Sequence, residues 1–339
     1  MVTLSRTSAG EKMKVLLCGG AGYVGSHAAK LLMHEGHEVW VYDNLSEGHR
    51  AAVPEGRLIE GDLHDRPALE SALREKKIEA VMHFAASCYV GVSVTNPAEY
   101  YQNNVVGTLS LLESMRAVGV KRLVFSSTCA TYGVPEIVPI TEAEKQEPIN
   151  PYGFTKLIIE YALADYSRAY GWGYAALRYF NASGAAADGT IGEDHDPETH
   201  LIPLVLEVAL GKRENVKIFG DDYPTPDGTC IRDYIHVDDL ATAHLAALEQ
   251  LKDGTQLKLN LGTGSGASVL EVIEACRHVT GHAIPAVVAP RREGDPPALV
   301  ADAREANRVL QWQPKHKEIG SIVESAWGWH QKHPEGYGD

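Results

Sequence analysis

A glycine-rich segment near the amino terminus constrains the fold more than any other feature of the sequence. Lys14–Cys18 is a short apolar run that predicts a buried parallel strand, and residues 19–25 (GGAGYVG) follow it directly. A helical pattern then covers residues 24–34. Glycines in such a turn let the backbone approach a bound phosphate, and the amino terminus of the helix offers amide donors to it. The segment therefore predicts the strand–turn–helix unit of a nucleotide-binding fold.

An acidic residue at the end of the next predicted strand, residues 37–42, supports this interpretation. Asp43 lies roughly 20 residues beyond the glycine segment, where a carboxylate accepts the ribose hydroxyls of an adenosine and repels a 2′-phosphate. Residues 44–46 supply no arginine, so the pattern favours NAD over NADP. The spacing GxxGxxG, rather than GxGxxG, is typical of one group of Rossmann-type proteins.

Strand and helix patterns alternate through the first half of the chain. Further strands are predicted over residues 57–60, 80–84, 122–126 and 174–179, with long helices over residues 97–117 and 151–170. Repeated strand–helix units joined with right-handed connections form a doubly wound parallel sheet. The fold class expected is therefore α/β, with a Rossmann-type sheet.

The composition of the chain changes after residue 180. Gly, Asp, Pro and His crowd residues 184–200 and 220–229, as in a loop-rich lobe. We expect a NAD-binding domain over residues 13–180 and a smaller α/β substrate lobe over residues 181–339, with some elements of the lobe packing back on the first domain. The polar residues before Met13 are expected to form a leader outside the fold.

Charge and residue usage exclude several classes of function. The net charge of −14 disfavours binding to a nucleic-acid backbone. The apolar stretches are shorter than the roughly 20 residues of a membrane span. Five scattered cysteines without a CxxC pair indicate reduced thiols and a cytoplasmic protein. The histidines show no HxH spacing, and no metal site is expected.

A tyrosine and a lysine four residues apart suggest a reactive pair. Tyr152 and Lys156 share one face at the start of the predicted helix 151–170. Such a spacing alone is common on protein surfaces. Here the preceding strand ends in the hydroxyl residues 126–128, at the sheet edge where ligands bind in open α/β folds. The pair is therefore a candidate for catalysis.

With these residues the chain resembles the extended short-chain dehydrogenases/reductases, and among them the nucleotide-sugar epimerases. The resemblance runs from about residue 13 to the carboxyl terminus, and several of its motifs are specific to epimerases. The motifs are GGAGYVGSH, DNLSEGH, HFAA, YYQNNVVGTL, VFSST, YGFTK, RYFNASG, GTCIRDYIHVDDL, RREGDPPA and HPEGY.

The resemblance implies a role for each reactive side chain. Tyr152 would be the base, and Lys156 together with an oxidised nicotinamide ring would lower the pKa of its phenol, which is about 10 in isolation. One positive charge at about 4 Å is worth about 4 kcal/mol at an effective dielectric of 20, which is the stabilisation needed near neutral pH. Lys156 would also hold the nicotinamide ribose. Thr128 would form a hydrogen bond to the reacting sugar oxygen.

The resemblance also implies two sets of binding residues. Those expected to contact NAD, together with Tyr152 and Lys156, are Gly19, Gly22, Tyr23, Val24, Gly25, Asp43, Asn44, Asp62, Leu63, Phe84, Ala85, Ala86, Asn103, Ser126 and Tyr179. Those expected to contact the UDP-sugar, together with Thr128, are Asn181, His200, Leu201, Phe219, Arg232, Tyr234, Arg292, Asp295 and Leu299. Phe219 has an equally good alternative role in the core. Residues 86–89 lack the lysine that some relatives place there against the NAD phosphates.

The activity that the resemblance implies is NAD-dependent 4-epimerisation of UDP-glucose and UDP-galactose through a transient 4-keto sugar. UDP-N-acetylglucosamine and UDP-xylose are alternative substrates. A 4,6-dehydratase is disfavoured, since Cys129 and Ala130 stand where an acid and a base are needed. A NAD-binding sensor without turnover is a further alternative, which transient reduction of NAD by a UDP-sugar would exclude. Relatives form homodimers, here through helices 97–117 and 151–170.

Overall fold

The computed structural model describes residues 11–292 and 295–338. The first ten positions of the expected leader, two residues of the RREGDPPA motif and the last residue of the chain lie outside these ranges. The helices are α1 (Tyr23–His34), α2 (Arg66–Glu75), α3 (Val90–Thr95), α4 (Pro97–Tyr100), α5 (Gly107–Val118), α6 (Pro151–Tyr170), α7 (Leu201–Ala209), α8 (Val237–Gln250), α9 (Val269–Thr280), α10 (Arg304–Leu310) and α11 (Ile319–Lys332). The strands are β1 (Lys14–Cys18), β2 (Glu38–Asp43), β3 (Leu58–Glu60), β4 (Ala80–His83), β5 (Arg122–Thr128), β6 (Gly173–Tyr179), β7 (Asn181–Ser183), β8 (Val216–Phe219), β9 (Ile231–Arg232), β10 (Tyr234–His236), β11 (Gln256–Leu261), β12 (Ala267–Ser268), β13 (Ala286–Ala289) and β14 (Ala298–Leu299).

A seven-stranded parallel sheet in the order β11-β6-β5-β4-β1-β2-β3 organises the fold. The apolar residues of β1 are consecutive rather than alternating, because helices cover both faces of the sheet. Val15 and Leu17 pack towards α1 and α8 on one face, whereas Leu16 and Cys18 pack towards α2, α5 and α6 on the other. The predicted doubly wound, Rossmann-type sheet is confirmed, and its direction of winding reverses between β1 and β4.

The predicted strands of the first half are all present, with bounds that differ by a few residues. The difference at β5 matters for the site, because this strand continues to Thr128 instead of ending at Ser126. The hydroxyl residues therefore remain in the sheet, where Thr128 is aligned with Tyr179 of β6. Their side chains are positioned by the sheet rather than by a loop.

The predicted continuous helix over residues 97–117 is wrong in its middle. The structure has α4, then a π-helical segment over Tyr101–Val106, then α5. Within the π segment, Asn103 donates a hydrogen bond to Ser87 Oγ at 3.0 Å, and Asn104 accepts one from the Ser87 amide at 2.8 Å. The wider turn lets two successive side chains reach one loop, and the apolar spacing of the sequence does not reveal it. Such π turns often occur at functional sites.

The second half of the chain adds small sheets and returns one strand to the large sheet. β7 pairs with β10, β8 pairs with β13, and β9 lies between β12 and β14. A separate apolar core forms where α7, α9 and α11 pack together. β11 joins the large sheet beside β6, and α8 packs against α1. The division at residue 180 stays a prediction.

Two expectations from composition concern bilayers and disulfides. None of the helices in the described part of the chain combines the length and the apolarity needed to cross a bilayer. All five cysteines are free thiols, and four of them are buried. The scattered cysteines therefore form no disulfide framework, as the sequence indicates.

A buried ion pair attaches α6 to the sheet. Arg178 of β6 and Glu160 of α6 are 2% and 0% exposed, and the guanidinium contacts the carboxylate through two nitrogens at 2.5 and 2.9 Å. Ser127 of β5 donates a further hydrogen bond to Glu160 Oε1 at 2.7 Å. Burial opposes the carboxylate charge, but Arg178 outweighs it and lowers the pKa of Glu160. The middle of α6 is thereby held against the ends of β5 and β6.

We predict that Glu160→Gln destabilises the protein by about 3–5 kcal/mol, because it leaves the Arg178 guanidinium buried without a counter-charge. Denaturant unfolding measures this loss. Glu305→Gln, which breaks a surface pair with Arg308 whose side chains are 42% and 72% exposed, is the control and should leave the unfolding midpoint unchanged. Equal shifts in the two variants would contradict the prediction.

Candidate active site

One cleft of about 2070 Å³ lies along the carboxyl ends of β1, β2, β4, β5 and β6 and continues into the second half of the chain. Every residue that the sequence analysis assigns to catalysis, to NAD or to the UDP-sugar lines this cleft. Pockets for a single small ligand typically measure about 300–1,000 Å³. The cleft is thus large enough for two nucleotide-sized ligands side by side.

The glycine turn between β1 and α1 shows why its residues lack side chains. A Cβ on Gly19, which has a φ of +76°, would lie 2.3 Å from the Ala85 amide nitrogen. A Cβ on Gly25 would lie 2.2 Å from the Gly19 carbonyl oxygen. Among the described residues, a Cβ on Gly22 would meet nothing nearer than 3.6 Å, so this glycine borders open space in the cleft. Two glycines therefore allow close packing, and the third leaves room for a ligand.

Asp43 closes the glycine turn from the neighbouring strand. Its Oδ2 accepts a hydrogen bond from the Ala21 amide and its Oδ1 accepts one from the Leu45 amide, both at 2.9 Å. Burial raises the pKa of Asp43 above its ordinary value, against the effect of these two amides. Each carboxylate oxygen has a further lone pair. Asp43 can therefore hold the turn and still accept ribose hydroxyls.

The reactive side chains converge because α6 begins against the end of β5. Gly153 lets the helix approach closely, since a Cβ there would lie 2.4 Å from the Ala130 carbonyl oxygen. Lys156 is 2% exposed, and its Nζ donates a hydrogen bond to the Ser126 carbonyl oxygen at 2.8 Å. The same Nζ lies 5.9 Å from the centre of the Tyr152 ring. Thr128, also buried, lines the cleft beside them.

Burial dominates the electrostatics of Tyr152 and Lys156. Burial raises the pKa of Tyr152 well above 10, and only the Thr128 side chain opposes this among the main contributions. Burial also lowers the pKa of Lys156 to about 8. The ammonium group of Lys156 is directed at the Ser126 carbonyl oxygen.

Short strands of the second half position the predicted substrate contacts in pairs. Asn181 of β7 is aligned with Tyr234 of β10, and Arg232 of β9 is aligned with Leu299 of β14. The order along the chain separates these partners by more than fifty residues, so their pairing is a product of the tertiary fold. All four side chains face one wall of the cleft.

The expected ligand contacts also interact with one another. Arg232 donates a hydrogen bond to Asp295 Oδ1 at 2.9 Å, and its side chain is only 13% exposed. The Arg292 guanidinium stacks 4.1 Å from the centre of the Phe219 ring. The sequence analysis expects Arg232 and Asp295 each to contact the UDP-sugar. In the structure they form one ion pair in the wall of the cleft.

Sequence reasoning missed a group of acidic and histidine side chains in the loop before α7. Glu193, His195 and Glu198 line the cleft with the predicted residue His200. Burial disfavours charge on both rings, but the two carboxylates outweigh it and raise the pKa of His195 to about 10 and that of His200 well above 6.5. The signal was the dense run EDHDPETH at residues 193–200. His195 and His200 are five positions apart, so neither an HxH nor an HxxxH pattern reveals that the loop brings them together.

A sequence profile of the NAD dependent epimerase/dehydratase family matches residues 15–262. The chain belongs to this family. It is 54% identical over 326 residues to the UDP-glucose 4-epimerase of Halalkalibacterium halodurans, covering 96% of this chain and 98% of that protein.

Solved structures of similar proteins agree over nearly the whole chain. A UDP-glucose 4-epimerase from Brucella ovis in complex with NAD superposes with a TM-score of 0.91 at 53% identity, covering 93% of this chain and 97% of that one. A UDP-glucose 4-epimerase from Bifidobacterium longum in complex with NAD+ and UDP gives a TM-score of 0.91 at 40% identity, covering 96% and 100%. The fold and the family of this NAD-dependent protein are therefore established.

Proposed function

We propose that this protein is a UDP-sugar 4-epimerase that uses bound NAD, with UDP-glucose and UDP-galactose as its preferred pair. The proposal rests on one observation. Tyr152, Lys156 and Thr128 line one cleft, at the place where its two sides meet. One side of that cleft is built on the glycine turn and Asp43, and the other side carries arginines suited to a diphosphate. The names and ligands of the similar proteins support the same assignment.

The residues of the glycine turn fit a dinucleotide. Open space in front of Gly22 and the amide donors at the start of α1 suit a pyrophosphate, and Asp43 suits the adenosine ribose. Asn44, which donates a hydrogen bond to Asp62 Oδ2 at 2.8 Å, extends this wall of the cleft. A bound NAD would supply reversible hydride transfer with sugar C4, so that no net redox change would occur.

The side chains of the protein handle the proton and the orientation of the sugar. Tyr152 takes the proton of the C4 hydroxyl as the ketone forms and returns it as the alcohol is restored. Thr128 holds the reacting oxygen by a hydrogen bond. The charge of Lys156, whose Nζ lies 5.9 Å from the centre of the Tyr152 ring, favours the phenolate. A second positive charge in the cleft is needed to offset the burial of Tyr152.

We predict that Tyr152→Phe lowers kcat by about 10²- to 10⁴-fold, because it removes only the proton acceptor. The dissociation constants of NAD and UDP, measured by calorimetry, should change little. Tyr170→Phe, at the exposed end of the same helix, is the matched control and should keep full activity.

The proposed function is tested on the unmodified protein by following UDP-glucose, UDP-N-acetylglucosamine and UDP-xylose separately by NMR. Formation of the C4 epimer, with transient absorbance of reduced nicotinamide, supports an epimerase. A NAD-binding sensor would produce neither signal. Near-full activity in Tyr152→Phe would exclude Tyr152 as the base without excluding the epimerase.

The size of the sugar pocket depends on Leu299. This side chain lines the cleft and packs against a buried apolar group that contains Cys129 and Phe180. Leucine is smaller than tyrosine but larger than serine or cysteine. The acetamido group of an N-acetylated sugar therefore has less room beside Leu299 than it would have beside serine or cysteine. Forcing extra atoms into a packed site costs about 1–3 kcal/mol, which corresponds to a rate about 10- to 200-fold lower.

We predict that Leu299→Tyr abolishes turnover of UDP-N-acetylglucosamine and spares that of UDP-glucose, because the larger ring removes the remaining space. Comparison of kcat/KM for the two sugars measures the effect. Leu299→Met, which conserves volume, should preserve the preference of the unmodified protein. Equal or higher kcat/KM for the N-acetylated sugar in the unmodified protein would overturn the ranking.

Dehydration of the sugar is not supported by the residues that follow Thr128. Elimination of water needs an acid and a base at this point of the cleft. Burial raises the pKa of Cys129 to about 12, and Ala130 has no ionisable group. The cleft therefore suits epimerisation better than 4,6-dehydration.

We propose that the protein forms a homodimer through the face of α3, α5 and α6. α5 and α6 pack against the π-helical segment, and α3 packs against α6; together these elements carry a set of apolar side chains that are 38–61% exposed. The set comprises Val90, Val92, Val94, Tyr101, Val106, Leu109, Phe154, Tyr161 and Tyr170. Exposed apolar patches of this kind mark association surfaces, and a stable interface buries about 800 Å² per partner.

We predict that Tyr161→Glu converts the dimer into monomers, because it places a charge at the centre of this face. Sedimentation at micromolar concentration measures the change. Val288→Glu alters an equally exposed apolar residue on β13, away from the face, and should leave the dimer intact. A monomeric unmodified protein would refute the proposed interface.

We also propose that the enzyme acts in the cytoplasm. Five reduced cysteines, four of them buried, suit a reducing compartment. The nucleotide sugar expected as substrate suits the same compartment.

A further inference from the structure

The loop before α7 brings four potential metal ligands together beside the substrate region. Glu193, His195, Glu198 and His200 each offer one ligand atom, and these four atoms lie within 4.8 Å of one another. The residues span eight positions of the chain and lie outside the helices and strands. His200 immediately precedes α7. The reaction proposed above uses none of the first three.

The distances around His195 suggest shared coordination rather than hydrogen bonding. Its Nδ1 lies 3.4 Å from Glu193 Oε1 and 3.7 Å from Glu198 Oε2. This buried nitrogen has no hydrogen-bond partner in the described part of the chain. Donor atoms on one tetrahedral zinc ion, with bonds of about 2.0–2.2 Å, lie roughly 3.4 Å apart. The spacing around His195 matches that of co-ligands.

His200 completes the set from the other side. Its Nδ1 lies 2.9 Å from Glu193 Oε1 and 3.0 Å from Glu198 Oε1. The centres of the two imidazole rings are 5.2 Å apart, and the Nδ1 atom of each ring faces the same two carboxylates. An increase of roughly half an ångström in the two short distances would reach the tetrahedral spacing.

Burial and charge also favour a dication at this point. The side chains of Glu193 and Glu198 are 5% and 8% exposed, and that of His195 is 12% exposed. The rings of Tyr23 and Tyr89 present their edges to His195 from the walls of the cleft, at 6.3 and 6.1 Å between centres. Two carboxylates this deeply buried need two positive charges nearby, which either two protonated imidazoles or one dication bound to the neutral imidazoles can supply.

We propose that Glu193, His195, Glu198 and His200 bind one divalent transition-metal ion, with zinc as the best match. Two imidazole nitrogens and two carboxylate oxygens are the ligand types that zinc accepts in tetrahedral sites. Calcium and magnesium prefer oxygen ligands alone. The bound ion ties the loop to the start of α7 and thereby stiffens the wall of the cleft that contains His200.

The test titrates chelator-treated full-length protein with zinc sulfate in the presence of a competing chromogenic chelator. One zinc per chain is expected. His195→Ala and the isosteric Glu198→Gln should weaken binding by more than about tenfold, since loss of even an outer-shell partner has that effect. Zinc should raise the melting temperature of the unmodified protein and not that of either variant.

Two control variants separate this site from other zinc-binding groups. His64→Ala removes an exposed histidine that is paired with Asp62 outside the cluster, and Cys88→Ser removes the half-buried thiol in the cleft. Both should bind zinc as the unmodified protein does, and cobalt in place of zinc should show no thiolate charge-transfer band. The proposal is overturned if binding is not stoichiometric, survives in both ligand variants, or disappears in Cys88→Ser.

Discussion

The buried ion pair between Glu160 and Arg178 is the interaction on which the site depends. It fixes α6 against β6, and Ser127 of β5 joins it, so that three elements share one polar contact in an apolar layer. Lys156 lies one helical turn before Glu160, and Tyr152 lies one turn earlier still. A rotation or shift of α6 would break the pair at high cost, because each charge would be left alone in the core. The reactive side chains therefore have one available position.

The cleft itself results from two kinds of close contact. In the first half of the cleft, Gly19 lies against the backbone of Ala85, and Gly25 lies against the Gly19 carbonyl oxygen. Neither position has room for a side chain. At its second half, short strands bring together segments that are far apart in the chain, such as β9 and β14. The close contacts of the glycines leave space for a phosphate group beside a helix amino terminus. The paired short strands bring charged side chains to the other side of the cleft. Catalysis is expected where these halves meet.

Much of the fold and of the candidate site could be predicted, because the signals are local. Apolar runs bounded by glycine predicted the strands, and parallel topology places their carboxyl ends, with Asp43 and the hydroxyl residues 126–128, at one edge of the sheet. The roles of the substrate residues came from resemblance to a family rather than from spacing. The π-helical segment escaped prediction because Asn103 and Asn104 depart from helical geometry through contacts with Ser87, sixteen or more residues away.

By itself, the sequence determined the doubly wound sheet and the glycine turn, and it singled out Tyr152 and Lys156 as a candidate reactive pair. These follow from periodicity and from residue types that allow few conformations. Only the tertiary structure decided that Lys156 points to the Ser126 carbonyl, that Arg232 pairs with Asp295, and that the loop at residues 193–200 gathers two carboxylates and two imidazoles. The physical reason is that hydrogen bonds and ion pairs depend on side-chain directions and on distances between remote segments. Spacing along a chain encodes neither quantity.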